Sequence, residues 1–109
     1  MSTLNGIKIE DIGSFKVFRI SFESVAYLQN EDDDIVYLSL ITTDKASRGK
    51  GLAKKLLCTI LDYYKDKKIY TIIPDSLTSE DNELIISFFK QHGFSADDKN
   101  AQKLWFNLS

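Results

Sequence analysis

A chain of 109 residues, 43% apolar and 28% charged, is sized and balanced for one soluble domain, expected here over 1–109. The formal net charge of −2 leaves no fold-wide basic field, so nucleic acid is not an expected partner. No apolar run approaches the ~20 residues of a membrane span, positions 1–9 lack a secretory leader's pattern, and Cys58 is alone and cannot form an intrachain disulfide. These absences point to a cytoplasmic protein with no membrane partner; no metal site is expected.

The first half reads as strands. A short one is predicted over 7–12, before Gly13. In the next, Phe15, Val17 and Arg19 alternate with Lys16, Phe18 and Ile20. A third candidate covers 25–29. Asn30 and the acidic run Glu31-Asp32-Asp33-Asp34 then read as a hairpin turn. Ile35–Thr43 is rich in β-branched and aromatic residues and is a further strand.

The period then changes. Leu52, Ala53, Leu56, Leu57, Ile60, Leu61 and Tyr64 recur at helical spacing, with Lys54, Lys55, Thr59, Asp62 and Lys65 on the wet side. The pattern predicts one amphipathic helix over 51–66. A buried strand is expected at 69–73, stopped by Pro74. Thr78-Ser79-Glu80-Asp81 is a helix start, its acids suited to the dipole. Leu84, Ile85, Phe88 and Phe89 form that helix's apolar stripe, and Gly93 is a natural stop. Final strands are predicted at 94–96 and 103–108, split by a polar turn at 97–101. The fold class is therefore mixed α/β: antiparallel N-terminal strands, a βαβ unit with parallel strands, a second helix and C-terminal strands.

The chemistry-bearing segment is Arg48-Gly49-Lys50-Gly51-Leu52-Ala53-Lys54-Lys55, between a strand and an amphipathic helix. Glycines allow close backbone approach, and first-turn amides of a helix have no internal partner. With the dipole positive there and four basic side chains around it, such a loop can cradle a phosphate. Taken alone, it reads equally well as a plain glycine turn beside solvated lysines. The spacing is neither a Walker P-loop nor a Gly-x-Gly-x-x-Gly fingerprint.

Arg48-Gly49-Lys50-Gly51-Leu52-Ala53 resembles the Arg/Gln-x-x-Gly-x-Gly/Ala signature of the GNAT N-acetyltransferase superfamily. A second match follows in the right order: Asn82, then Phe89 seven residues on, then Gly93-Phe94. The resemblance spans about 36–94 and implies a small GNAT-like sheet that binds acetyl-CoA as co-substrate. It implies that amides of Gly49, Lys50, Gly51, Leu52 and Ala53 hold the pyrophosphate, flanked by Arg48 and Lys54. It further implies that backbone groups near Ile41 and Thr43 pair with the pantetheine arm where two parallel strands splay. Asn82 and Phe89 would complete the cofactor site.

Two departures bear on catalysis. Phe89 stands where many members carry a tyrosine that protonates the leaving thiolate, and phenylalanine has no proton to give. Tyr37 stands near where several carry a glutamate base, and a phenol is a poor base at neutral pH. The remaining catalytic candidates are Asp75 and Ser76, after the 69–73 strand, on the expected acceptor side. Among other residues, His92 reads as a helix C-terminal cap before a base. Cys58 reads as a small buried hydrophobe. The Asp32–Asp34 run reads as a solvated turn before an attractor for a cationic acceptor. Trp105 reads as core or as an interface residue, in a homodimer or with a protein partner.

The resulting reading is an N-acetyltransferase that moves acetyl to a primary amine, on a small molecule or a protein, by direct attack through a ternary complex. The oxyanion would be held by a backbone amide of the 41–43 strand. Two alternatives stand beside it. One is an acetyl-CoA-binding sensor or partner-binding module without turnover. The other is an inhibitor or interaction protein that kept the fold and lost the cofactor.

Overall fold

The computed structural model describes residues 2–4, 6–21, 23–43, 49–73, 79–100 and 102–106, with the backbone alone at 2 and 79–82. The alternating stretches of the first half become a meander: β1 (Ser2–Leu4), β2 (Ile7–Ile12), β3 (Phe15–Ile20), β4 (Ser24–Asn30) and β5 (Ile35–Thr43). Each pairs antiparallel with the next. Helix α1 (Leu52–Tyr63) crosses over to β6 (Lys68–Ile72), which lies parallel to β5. Helix α2 (Ser79–Gln91) leads to β7 (Phe94–Ala96) and β8 (Lys103–Phe106). The result is one mixed eight-stranded sheet in the order β1-β2-β3-β4-β5-β6-β8-β7. β1 escaped the sequence reading because three residues are too few to show a period. No helix among the described residues is long and apolar enough to cross a membrane.

Cross-strand register decides which residues share a face. Ile9, Phe18, Ala26 and Ile41 align across four strands, as do Val36, Ile69, Phe106 and Phe94. This face holds the core, closed by Leu56, Leu57 and Ile60 of α1 and by Phe89 of α2. Most of these side chains are fully buried, and burial of each stabilises by roughly 1.5–3 kcal/mol. On the opposite face Tyr37, Tyr70 and Trp105 line up, Tyr37 stacked on Tyr70 with centroids 4.9 Å apart and Trp105 tilted against Tyr70 at 5.0 Å. The Lys103 ammonium lies 4.5 Å from the Tyr70 ring and 4.9 Å from the Trp105 ring.

Two expectations for α1 are corrected. Thr59 is buried and Cys58 is exposed, the reverse of the sequence reading. Thr59 follows Leu56 by three positions and so shares its face, whereas Cys58 lies nearly half a turn from both Leu56 and Ile60. The acidic run is a turn, as expected: the Asp32 carboxylate accepts the amides of Asp34 (2.8 Å) and Ile35 (2.9 Å). His92 likewise caps its own helix, its Nδ1 lying 2.7 Å from the Phe88 carbonyl.

Candidate functional site

Two irregularities in β5 set up the site. The first is a register shift against β4: Leu28 pairs with Leu38 and Tyr27 with Leu40, so Ser39 is the extra residue of a bulge. The second is on the other edge. β5 pairs with β6 only from Ile35 to Tyr37, although β5 continues to Thr43 and β6 to Ile72. Beyond Tyr37 and Tyr70 the parallel strands part. At the parting, the Thr71 hydroxyl donates to the Leu38 carbonyl at 2.9 Å.

The turn into α1 sits at the open end of β5. Gly49 and Gly51 have φ of 90° and 76°, a left-handed region costly for other residues. A Cβ built on either would meet nothing within 4 Å among the described residues. These glycines are therefore required by backbone conformation rather than by a close neighbour among the described residues. Gly51 is the N-cap of α1 but supplies no side-chain cap, and the first turn holds no acid. Lys54 and Lys55 are exposed in that turn. Cations beside a helix N-terminus oppose the dipole, so this helix start is poorly matched to itself and well matched to an anion. α2 begins the opposite way, with Ser79, Glu80 and Asp81.

Thr43, Gly49, Gly51, Leu52, Ala53, Lys54 and Phe88 line an open cavity of about 270 Å³ at this point. It joins the end of β5, the glycine turn, the start of α1 and one ring from α2. Among the described residues, no cluster of three or more His, Cys, Asp or Glu side chains could hold a metal ion.

A family model described as the acetyltransferase (GNAT) family matches residues 20–94, more than two thirds of the chain. This chain belongs to the GNAT acetyltransferase family. Its fold agrees with that of other members. A GNAT-family acetyltransferase of Bacteroides thetaiotaomicron superposes with a TM-score of 0.71 at 19% identity, over 90% of this chain and 65% of that one. Arabidopsis thaliana Naa50, in complex with a bisubstrate analogue CoA-Ac-MVNAL, gives 0.66 at 18% identity, over 86% and 72%. PaiA N-acetyltransferase of Thermoplasma acidophilum, in complex with coenzyme A, gives 0.64 at 14%, over 86% and 60%. This GNAT chain thus spans about two thirds of the length of such structures. No curated protein sequence matches it.

The structure gathers part of the expected site and corrects part of it. Gly49, Gly51, Leu52, Ala53, Lys54 and Thr43 come together around the cavity, and Lys50 is exposed between the two glycines. Ile41 turns its side chain to the core. Arg48, Asp75 and Ser76 lie outside the described residues, as does the side chain of Asn82.

Phe89 is a correction: it is 2% exposed, packs on Phe88 and Phe94, and is absent from the cavity wall. Its neighbour Phe88 stands there instead, because α2 points position 89 at the sheet and position 88 toward the start of α1. Tyr37 is held in the aromatic stack with Tyr70. The Tyr70 hydroxyl donates to Glu31, and burial followed by that bond pushes its pKa well above the usual tyrosine range.

Proposed function

We propose that this chain binds acetyl-CoA and transfers its acetyl group to a primary amine. The observation that carries the reading is the start of α1: two left-handed glycines with no described residue against them, no side-chain cap, no acid and exposed lysines. A pyrophosphate fits this chemistry, since it would accept from the free amides of the first turn and offset the lysine charges. The parted edge of β5 beyond Leu38 would offer backbone groups to an extended arm such as pantetheine, in the manner of an added strand.

A bound thioester would supply an activated acetyl group. The chain would contribute position and polarity: amides of the β5 edge to stabilise a developing oxyanion, and the Phe88 ring to keep water from the cavity. Asp75 and Ser76, following β6, are proposed as polar groups on the acceptor side. The acceptor is a small amine or a protein amine.

One observation favours a second reading. Among the described residues, Lys54 is the only titratable group on the cavity wall, and it stands in the first turn of α1 rather than on the β5 edge proposed for the thioester arm. A sensor that binds acetyl-CoA without turnover fits that wall. The test is calorimetric titration and thermal unfolding with acetyl-CoA, beside a turnover assay on a panel of amines. At a hundredfold excess over its Kd, a ligand bound only by the native state adds ~2.7 kcal/mol. Adenine nucleotides without pantetheine are expected to add less. No shift at millimolar acetyl-CoA would overturn the cofactor reading; tight binding with no turnover would select the sensor.

A further inference from the structure

The parallel pair β5–β6 ends at Tyr37 and Tyr70, and a ladder continued by one step would bring Leu38 beside Thr71. The bond found there runs instead from a side chain, Thr71 Oγ1, to the Leu38 carbonyl at 2.9 Å. Both residues are buried, Leu38 at 0% and Thr71 at 6% exposed. A buried carbonyl at the point of parting needs a donor, and water has little access. A backbone amide can supply one only by keeping the strands at ladder spacing. A hydroxyl reaching out from Cβ supplies it while the backbones separate. The next residue, Ser39, is the bulge that re-aims the following peptides of β5.

We infer that Thr71 is a positioning residue that pins the apex of the parted strands and so sets the opening in which the pantetheine arm lies. The inference rests on the cofactor reading above. It separates the ligand into two parts. The pyrophosphate end is met by the Gly49–Gly51 turn, remote in sequence from Thr71, whereas the arm depends on the edge that Thr71 holds open. Valine has threonine's shape without the hydroxyl; serine keeps the hydroxyl without the methyl.

The experiment measures the affinities of acetyl-CoA and of 3′-phosphoadenosine 5′-diphosphate, which lacks the arm, for the unchanged chain and for Thr71→Val and Thr71→Ser. Thr71→Val is expected to lose about tenfold for acetyl-CoA, the scale of one buried hydrogen bond, with the diphosphate affinity kept. Thr71→Ser is expected to restore acetyl-CoA binding. If Thr71→Val does not fold, Thr71→Ala against Thr71→Ser gives the same contrast of hydroxyl present or absent. Equal loss for both ligands, or no loss for either, overturns the positioning role while leaving the cofactor reading intact. No acetyl-CoA binding by the unchanged chain overturns both.

Discussion

Phe88 and Phe89 are adjacent in sequence and part of one apolar stripe, yet they meet different surroundings. Phe88 stands on the cavity wall and Phe89 is sealed between α2 and β7. A hydroxyl placed at position 89 would therefore enter the core without a partner. Phe89→Tyr is expected to lose ~1–3 kcal/mol in urea unfolding and to gain no turnover with any amine. Retained stability with increased turnover would place position 89 in the cleft after all. The rotation of α2 about its axis decides which of the two rings faces the cavity. That rotation comes from packing against the sheet, so a helical period cannot report it. The glycines are the contrasting case. Their unusual backbone was legible from type, spacing and place before an amphipathic helix, although the loop taken alone read equally well as a plain turn. Thr71 gave no such sign: it is one more β-branched residue until the fold brings its hydroxyl to the Leu38 carbonyl.

At the scale of elements, α1 is a helix whose start departs from the usual pattern of caps and acids, and such local departures gather at functional sites. Gly51→Asp tests this. A Cβ at position 51 meets nothing within 4 Å among the described residues, and aspartate tolerates left-handed backbone better than most residues, so the helix is expected to form. The new carboxylate would lie at the first-turn amides and is expected to weaken acetyl-CoA binding by more than about tenfold, with circular dichroism unchanged. Unaltered affinity would reduce the loop to an ordinary turn.

The β7–β8 hairpin carries a separate prediction. The Asp97 carboxylate accepts the Lys99 amide at 3.0 Å and the Trp105 indole N–H at 3.3 Å, and these bonds hold its pKa below the usual carboxylate range. A carboxylate whose pKa is lowered by folding stabilises the hairpin above the unfolded value of about 3.9 and ceases to do so as pH falls through the lower folded value. The indole proton of Trp105, the sole tryptophan, is expected to shift in NMR spectra only below that range, and to lose this step in Asp97→Asn. A midpoint at or above the ordinary value would count against the bond. Most strand and helix spans agree with the sequence pattern to within one to three residues. What the pattern left out was the short edge strand β1 and the bulge at Ser39, while the early end of the β5–β6 pairing was expected only from the family resemblance.

Across the whole molecule the sheet has two kinds of seam. From β1 to β5 every strand pairs with its successor through a short turn, so closure needs little chain to be gathered. Between β5 and β6 the chain must first build α1: Ile35 pairs with Lys68, 33 positions later, and three residue pairs are all the register there. Contacts of such separation are late to form and early to open. Native-state amide exchange is expected to show lower opening free energies in β6 than in β3 and β4, with acetyl-CoA raising protection in β6 selectively. Uniform exchange across the sheet would contradict this. The parted strands thereby have a consequence for assembly of the fold as well as for binding. The opening in β5–β6 falls where a meander of sequence-local pairings meets strands paired across long sequence separation, so a ligand seated in it would span both. By holding the two together it would slow unfolding more than it speeds folding.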